Sequence, residues 1–197
     1  MTRITKLEPE DWDEGLRALT QPDTATPLEQ GLMRMFAHTP GIARGLAAFG
    51  GSLKMHRTLP RRLVELVRLR VAFHNQCRSC MAIRYTDAVN AGVTEDLVCE
   101  LADPPSAENL TDAEQSALGF ADRFATDHLA IDDAAFDGLR EHFTEPEIME
   151  LAMNVAFFVG FGRLAATLDM TEELPEAFQA PEGAVLTPWG EESIAVR

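Results

Sequence analysis

The sequence is poor in cysteine, in basic residues and in patterns typical of strands. Its 197 residues include only 3 cysteines, an odd number that does not make a secreted disulfide framework. The 17 basic residues face 32 acidic ones, and the net charge of −15 argues against binding to nucleic acid or to an anionic membrane, because phosphates would be repelled. Val, Ile, Tyr and Thr seldom alternate with polar residues, so strands are not expected.

Long apolar runs without polar interruptions are also missing. Residues 1–15 contain no stretch that resembles a signal peptide. The most apolar segment, residues 151–168, carries Asn154 and Arg163. We therefore interpret it as a helix buried in the domain or between subunits, and not as a membrane span. These features predict a cytoplasmic protein.

Helical patterning is abundant. Ala, Leu, Met, Arg and Glu recur at helical spacing, and Pro and Gly divide the chain into segments of helical length. One helix is expected to begin near Cys77 and to end at Gly92. The other predicted helix starts are Pro27, Pro40, Pro60, the N-cap Thr94 and the capping boxes that begin at Thr111 and Thr144.

This patterning predicts an all-α bundle of about eight helices, forming a single domain over residues 1–197. The core is expected over residues 27–170. Residues 1–25 and 175–197 hold more proline, glycine and acid. We interpret them as an N-terminal arm and a C-terminal tail that can dock on a neighbour.

Basic charge is concentrated in residues 54–84. This segment holds eight basic residues and one acid, Glu65, and so carries a charge of +7 inside an acidic protein. Such asymmetry is typical of a functional or interaction surface. The alternative is that these arginines pair with acids of other helices.

A C-x-x-C motif, Cys77-Arg78-Ser79-Cys80, lies at the junction of two predicted helices. Residues three apart share a helix face, so the two sulfurs can approach and close a disulfide. The N-terminus of a helix favours the thiolate, and Arg84, four residues after Cys80, can add positive charge near that sulfur. A thiolate is the form that attacks peroxides and disulfides.

Two other interpretations of the cysteine pair remain open. It could be half of a zinc site, although no second C-x-x-C exists and Cys99 stands alone in an apolar pattern. It could also be two buried, inert cysteines. His38, His56, His128 and His142 are scattered without metal-binding spacing, so a metal site is not expected.

Glu65 precedes Cys77 by twelve residues and is surrounded by arginines on the same predicted helix. One interpretation is a solvated Glu–Arg cluster on the surface, which contributes little to stability. The other is a carboxylate that folds back toward the cysteines and accepts or relays a proton. The residues alone favour the surface cluster.

The stretch from Pro60 to Gly92 resembles the core of the alkylhydroperoxidase D-like, or carboxymuconolactone decarboxylase, family. The redox branch of that family carries a glutamate, eleven residues, a C-x-x-C pair, three residues and a histidine. Glu65, Cys77 and Cys80 fit this spacing. The later AFFVGFGRLAATL resembles the apolar helix of larger members, so the resemblance covers roughly residues 60–170.

The resemblance implies an all-helical fold, homo-oligomers from trimers to hexamers, and thiol-based reduction of a hydroperoxide or a disulfide without a cofactor. It also implies regeneration by a dithiol reductant or by a lipoyl or thioredoxin-like protein. The decarboxylase branch generally lacks the cysteine pair. Cys77 and Cys80 therefore argue against that branch.

The sequence departs from the redox branch at Arg84, which stands where the family has histidine. Arginine stays charged and cannot act as a base at neutral pH. Arg84 could hold the Cys80 thiolate while bridging Glu65, or His74 could supply the titrating group. The pattern around His74 favours a helix-end histidine that binds a carbonyl over this titrating role, and Arg84 could mark a different substrate or a weak peroxidase.

The leading prediction is a peroxidase or disulfide reductase in which Cys80 attacks, Cys77 resolves and Glu65 handles the proton. The helix-end argument instead favours Cys77 as the attacking residue. A second hypothesis is a lyase or isomerase that binds an anionic small molecule through Arg84. A third is an oligomeric protein without catalytic activity.

Overall fold

The computed structural model describes residues 2–180 and 183–197. In chain order its helices are α1 (Glu14–Thr20), α2 (Pro27–Gln30), α3 (Met33–Phe36), α4 (Pro40–Met55), α5 (Arg61–Asn75), α6 (Arg78–Ala82), α7 (Thr86–Asn90), α8 (Glu95–Glu100), α9 (Asp112–Thr126), α10 (Asp133–Arg140) and α11 (Glu145–Leu168). Two short strands, β1 (Ile83–Tyr85) and β2 (Ile194–Val196), pair in parallel. The predicted all-α class is confirmed, and the helices outnumber the expected eight because several are single turns.

Local sequence signals set most helix starts. Pro27 and Pro40 are the first residues of α2 and α4, where the missing N–H costs nothing, and Pro60 precedes the first residue of α5. Thr111 and Glu114 form a reciprocal capping box at the start of α9. These signals act within a few residues, so the sequence alone was sufficient to find them.

Helix α5 lies at the centre of the bundle and packs against α9 and α11. Its Leu66 and Leu69 are completely buried, as are Leu118 of α9 and Val155 of α11. Each such side chain contributes about 1.5–3 kcal/mol through removal of apolar surface from water. Polar residues on α5 are therefore carried into the interior with it.

Helix α11 is long and apolar enough to span a membrane by length and composition, and 33% of its most apolar window is buried. Two of its polar residues, the buried Asn154 and the exposed Arg163, make hydrogen bonds to the chain around them. Asn154 donates to the Glu150 carbonyl, and Arg163 donates to the Asn75 side chain and the Ala125 carbonyl. The inner face of the helix therefore packs against α5 and α9 as predicted, whereas Met149, Met153 and Leu164 on its outer face are exposed.

The prediction of one helix from Cys77 to Gly92 is wrong. Strand β1 interrupts it, because residues 83–85 pair with residues 194–196 of the tail. The register sets Arg84 opposite Ala195. Successive side chains of a strand point to opposite faces, so Arg84 no longer lies one helical turn beyond Cys80.

The C-terminal tail docks on its own chain beside the cysteine motif. The side-chain amide of Gln76 exchanges two hydrogen bonds with the Leu186 backbone, at 3.0 and 2.8 Å. The Thr86 hydroxyl donates to the Val196 carbonyl at 2.8 Å. Phe178 is fully buried in a cluster with Met81 of α6. The tail thus forms part of the wall around the motif.

Candidate functional site

The two cysteines of the motif are joined. The Cys77 and Cys80 sulfurs lie 2.01 Å apart in a disulfide, with a Cα–Cα distance of 5.2 Å. Cys77 is the N-cap of α6, where its sulfur accepts the Cys80 N–H at 3.3 Å. Cys77 is fully buried, whereas Cys80 is partly exposed. Solvent and small molecules can therefore reach Cys80, whereas Cys77 is shielded.

Cys80 lies on the wall of two adjoining cavities, which we call the large recess and the small recess. Their volumes are about 440 and 200 Å³. Besides Cys80, the residues that line both are Leu32, Phe36, Leu46, Ile83, Tyr85 and Phe157. The surroundings of Cys80 are therefore apolar and aromatic, which suits an organic molecule better than a small hydrophilic one.

Glu65 is completely buried on α5, so the interpretation as a surface cluster is wrong. Its carboxylate accepts two hydrogen bonds from Arg68, at 2.8 and 2.7 Å, and Arg61 lies at 3.4 Å. Burial raises the pKa of Glu65, but the charge and hydrogen bonds of Arg68 outweigh it, with further lowering by Arg61 and the Tyr85 N–H. The pKa therefore lies below its ordinary value, and the group is a poor proton acceptor.

Arg68 connects this carboxylate to the cysteine motif. Its guanidinium donates to the backbone carbonyls of Cys80, at 2.7 Å, and Ile83, at 2.9 Å. These two carbonyls bracket the end of α6, where the helix gives way to β1. Glu65 thus acts on Cys80 through Arg68, by fixing the backbone that carries the sulfur.

Arg84 is buried, with 2% of its surface exposed, and its guanidinium is fully engaged. Its acceptors are the Glu95 carboxylate at 3.0 and 3.2 Å and the carbonyls of Met81 at 2.7 Å, Ile83 at 3.0 Å and Pro188 at 3.2 Å. These five contacts match the five N–H donors of a guanidinium. Arg84 therefore ties α6, α8 and the tail together.

The prediction that Arg84 bridges to Glu65 is wrong, because Glu65 is not among the acceptors of Arg84. Strand β1 replaces the continuous helix that would have aligned Arg84 with Cys80, and Arg68 takes the place beside Glu65. The positive charge next to the motif thus comes from the preceding helix. Because all five donors of Arg84 have other acceptors, it has none left for a thiolate or a substrate.

His74 lies in a different group of charged residues. Its Nε2 is 2.7 Å from the Asp122 carboxylate, which also accepts two hydrogen bonds from Arg70. Burial raises the pKa of Asp122, but these hydrogen bonds and charges lower it overall. The structure therefore brings Glu65 to the cysteine pair through Arg68, and it pairs His74 with α9 instead of with a helix-end carbonyl.

The described part of the chain, residues 2–180 and 183–197, contains no group of three or more His, Cys, Asp or Glu residues that could hold a metal ion. Cys99 is a free, exposed cysteine on α8. It makes a useful internal control for the reactivity of the pair.

Sequence reasoning missed Arg68, Tyr85 and Phe157 as residues of the site. Arg68 had a signal, since it follows Glu65 by three residues and shares its helix face. Tyr85 is the single tyrosine of the chain and follows Cys80 by five residues. Phe157 gives no local signal, because an aromatic residue in an apolar helix is typical of any core.

A family model matches residues 40–123, and its description is the carboxymuconolactone decarboxylase family. The matched segment contains α4 to α8 and most of α9, and with them Glu65 and both cysteines of the motif.

Curated relatives match a segment of this chain that is 93 residues long. An uncharacterized protein of Mycobacterium tuberculosis, present in strains CDC 1551 and H37Rv, is 34% identical over 93 residues. The match covers 46% of this chain and 32% of the relative. The match thus spans about a third of the length of these relatives.

Solved structures share the fold over nearly the whole chain. An uncharacterized peroxidase-related protein from Ralstonia eutropha JMP134, described as an alkylhydroperoxidase AhpD core, superposes with a TM-score of 0.73 at 21% identity, covering 90% of this chain and 94% of that one. A debrominase crystallised with 2,3,4-tribromopyrrole gives 0.68 at 19% identity, covering 86% and 90%. At these identities the likeness establishes the fold alone.

Proposed function

Residues 40–123 belong to the carboxymuconolactone decarboxylase family, and from this premise we propose that the protein is a thiol oxidoreductase that reduces organic hydroperoxides. One observation carries the proposal. Cys80 opens onto an aromatic recess while its sulfur lies within bonding distance of the buried Cys77. This arrangement provides one accessible nucleophile and one protected resolving thiol.

The first step consumes the hydroperoxide. The Cys80 thiolate attacks the terminal oxygen of the O–O bond, an S–O bond forms, and the O–O bond breaks. The alkoxide that leaves takes a proton from water in the large recess and departs as the alcohol. Cys80 is oxidised to a sulfenic acid, and the peroxide is reduced by two electrons.

The second step restores the pair. The Cys77 thiol attacks the sulfenic sulfur, and water leaves as the disulfide forms. An external dithiol, either a small molecule or a lipoyl or thioredoxin-like protein, then reduces the disulfide and becomes a disulfide itself. This cycle needs a compartment that supplies dithiols, which supports a cytoplasmic location.

Glu65 and Arg68 act as positioning residues in this cycle. Because the pKa of Glu65 is lowered, its carboxylate is unsuited to accept the Cys80 proton. Its role is to hold the Arg68 guanidinium against the Cys80 carbonyl. The guanidinium charge beside that carbonyl favours the thiolate over the thiol. We assign no step of this cycle to Arg84 or His74, because their side chains are hydrogen-bonded elsewhere.

The proposal is tested with reduced protein, cumene hydroperoxide and dithiothreitol. We expect steady consumption of hydroperoxide over many turnovers, with one alcohol formed for each dithiothreitol oxidised. No consumption above that in protein-free buffer would refute the proposal.

A second candidate is removal of bromide from an aromatic ring by the same pair, in which the ring gains hydrogen and the dithiol becomes a disulfide. The aromatic lining around Cys80 supports this candidate. The likeness to the debrominase does not add to that support, because it establishes the fold alone. Bromide release from a bromopyrrole, without hydroperoxide turnover, would favour this activity.

We propose that the protein is a homo-oligomer, a trimer or a hexamer, assembled through the outer face of α11. Met149, Met153 and Leu164 lie on this face, with 61%, 41% and 41% of their surfaces exposed, together with the small exposed residues Ala156 and Gly160. Large apolar side chains along one helix face are typical of an interface.

Sedimentation equilibrium tests this interface. We expect the wild-type mass to be about three or six times the 21.7 kDa of one chain, and Met153→Glu to lower it toward one chain, because the charge would be buried. Leu129→Glu, at an apolar residue away from α11, should leave the mass unchanged. A monomeric wild type would contradict the proposal.

A further inference from the structure

A third cavity, which we call the basic recess, continues the small recess away from Cys80. It has a volume of about 270 Å³ and shares four lining residues with the small recess, namely Arg68, Tyr85, Phe157 and Phe158. The remainder of its wall comes from the end of α4, the start of α5 and the middle of α11. One continuous surface therefore leads from Cys80 to this region.

The basic recess has unbalanced positive charge. Of the eight basic residues between 54 and 84, five are paired with acids. Lys54 and Arg57 line this recess, and in the described part of the chain neither makes an ion pair. Two uncompensated cations in one concave surface attract an anion, even in a protein with a net charge of −15.

The acids around this recess do not cancel that charge. Asp87 is held by Arg61 at 2.8 Å, and this hydrogen bond, with the charges of Arg61, Lys54 and Arg57, lowers its pKa. Glu65 is occupied by Arg68. A third acid, Glu150 of α11, accepts hydrogen bonds from the Thr58 hydroxyl and from the N–H groups of Thr58 and Leu59. All three acids thus have other hydrogen-bond partners, which leaves Lys54 and Arg57 for a ligand.

The segment between this charge and Cys80 is apolar. Tyr85, Phe157 and Phe158 line both recesses and present aromatic surface. Arg61 lines the basic recess, and Arg68, seven residues later on α5, donates to the Cys80 carbonyl. At 1.5 Å per helical residue the charged end lies about 10 Å from the cysteine end.

We infer that the substrate is amphipathic, with an anionic group such as a carboxylate at Lys54 and Arg57 and an apolar body that carries its hydroperoxide to Cys80. This inference rests on the proposed function. The chemistry at sulfur is unchanged, so the carboxylate-bearing hydroperoxide is reduced to the corresponding hydroxy acid. Hydrogen peroxide and uncharged hydroperoxides would leave the basic recess unused.

Turnover of a matched pair of substrates tests the inference. We expect kcat/KM for a long-chain fatty acid hydroperoxide to exceed that for its methyl ester by about tenfold or more, because only the acid forms charge-assisted hydrogen bonds. In Arg57→Gln the acid-to-ester ratio should fall toward one. Arg140→Gln, a surface arginine of α10, is the matched control and should keep the wild-type ratio.

Binding to the unreactive disulfide form separates this inference from the proposed function. Calorimetry with dodecanoate below its micellar concentration should give binding that weakens in Arg57→Gln and at high salt, with methyl dodecanoate binding less tightly. Binding of this kind without any hydroperoxide turnover would overturn the proposed function alone. Turnover with equal rates for acid and ester, and equal binding of both ligands, would overturn the inference alone.

Discussion

Replacement of Cys80 by serine is expected to lower kcat for hydroperoxide reduction by on the order of a thousandfold or more, because it removes the nucleophile. Cys80 is partly exposed and lines both recesses, whereas Cys77 is fully buried. The hydroxyl of serine ionises far less readily than a thiol and cannot form the sulfenic acid. The dithiothreitol-coupled assay measures this loss.

Cys77→Ser should behave differently, and the contrast identifies the attacking residue. It retains the nucleophile but lacks the resolving thiol, so we expect one equivalent of hydroperoxide to be consumed in a rapid burst. The sulfenic acid on Cys80 should then be trapped by dimedone and found by mass spectrometry. Cys99→Ser, at the free and exposed cysteine, should keep the wild-type rate. A burst in Cys80→Ser, with none in Cys77→Ser, would reverse the assignment.

Glu65→Gln is expected to lower the free energy of unfolding by about 3–5 kcal/mol, because it leaves the buried Arg68 without its counter-ion. Urea unfolding measures the change. The control is Glu145→Gln, which removes an exposed ion pair with Arg140 and should cost less than about 1 kcal/mol. Equal stability of Glu65→Gln and wild type would contradict the buried pair.

The Glu65–Arg68 pair also predicts the direction in which the free energy of unfolding changes with pH. The folded-state pKa of Glu65 is lowered, so its contribution to stability is complete above the unfolded-state pKa and is lost as the pH falls toward the folded-state value. Wild type should therefore lose stability more steeply than Glu65→Gln as the pH falls below about 4. If the free energies of unfolding of wild type and Glu65→Gln fell in parallel with decreasing pH, the lowered pKa of Glu65 would be contradicted.

A double substitution separates positioning from stability. Glu65→Met combined with Arg68→Met removes both buried charges, and such replacements are often neutral or stabilising. The Cys80 and Ile83 carbonyls would then lose the Arg68 hydrogen bonds. We expect the double variant to regain stability but to keep a reduced kcat and a slower alkylation of the reduced Cys80 thiol. Recovery of the wild-type kcat and of the wild-type alkylation rate would show that the pair is only structural.

The sequence was informative where structure is decided by neighbouring residues. Helix starts at Pro27 and Pro40 and the capping box at Thr111 depend on contacts within one turn, and all three were predicted. The C-x-x-C pair is local in the same sense. The approach of its two sulfurs follows from their spacing, and the structure shows it.

The errors arose where distant segments decide the local structure. Residues 83–85 form a strand and not a helix, because residues 194–196 pair with them. The residues near Cys80 give no signal for a pairing partner that lies more than a hundred residues away. In this strand Arg84 no longer lies one helical turn beyond Cys80. Its expected role beside the Cys80 thiolate depended on a continuous helix and was therefore wrong. Glu65 was misplaced on the surface for a related reason, because the central position of α5 depends on its packing against α9 and α11.

The most direct test of the account is a single turnover followed by mass. Fully reduced protein is mixed with one equivalent of an organic hydroperoxide, without a dithiol, and then alkylated. We expect one equivalent of alcohol, loss of two hydrogen atoms from the protein, a Cys77–Cys80 linked peptide and an alkylated Cys99. Intact hydroperoxide with all three cysteines alkylated, or oxidation confined to Cys99, would contradict it.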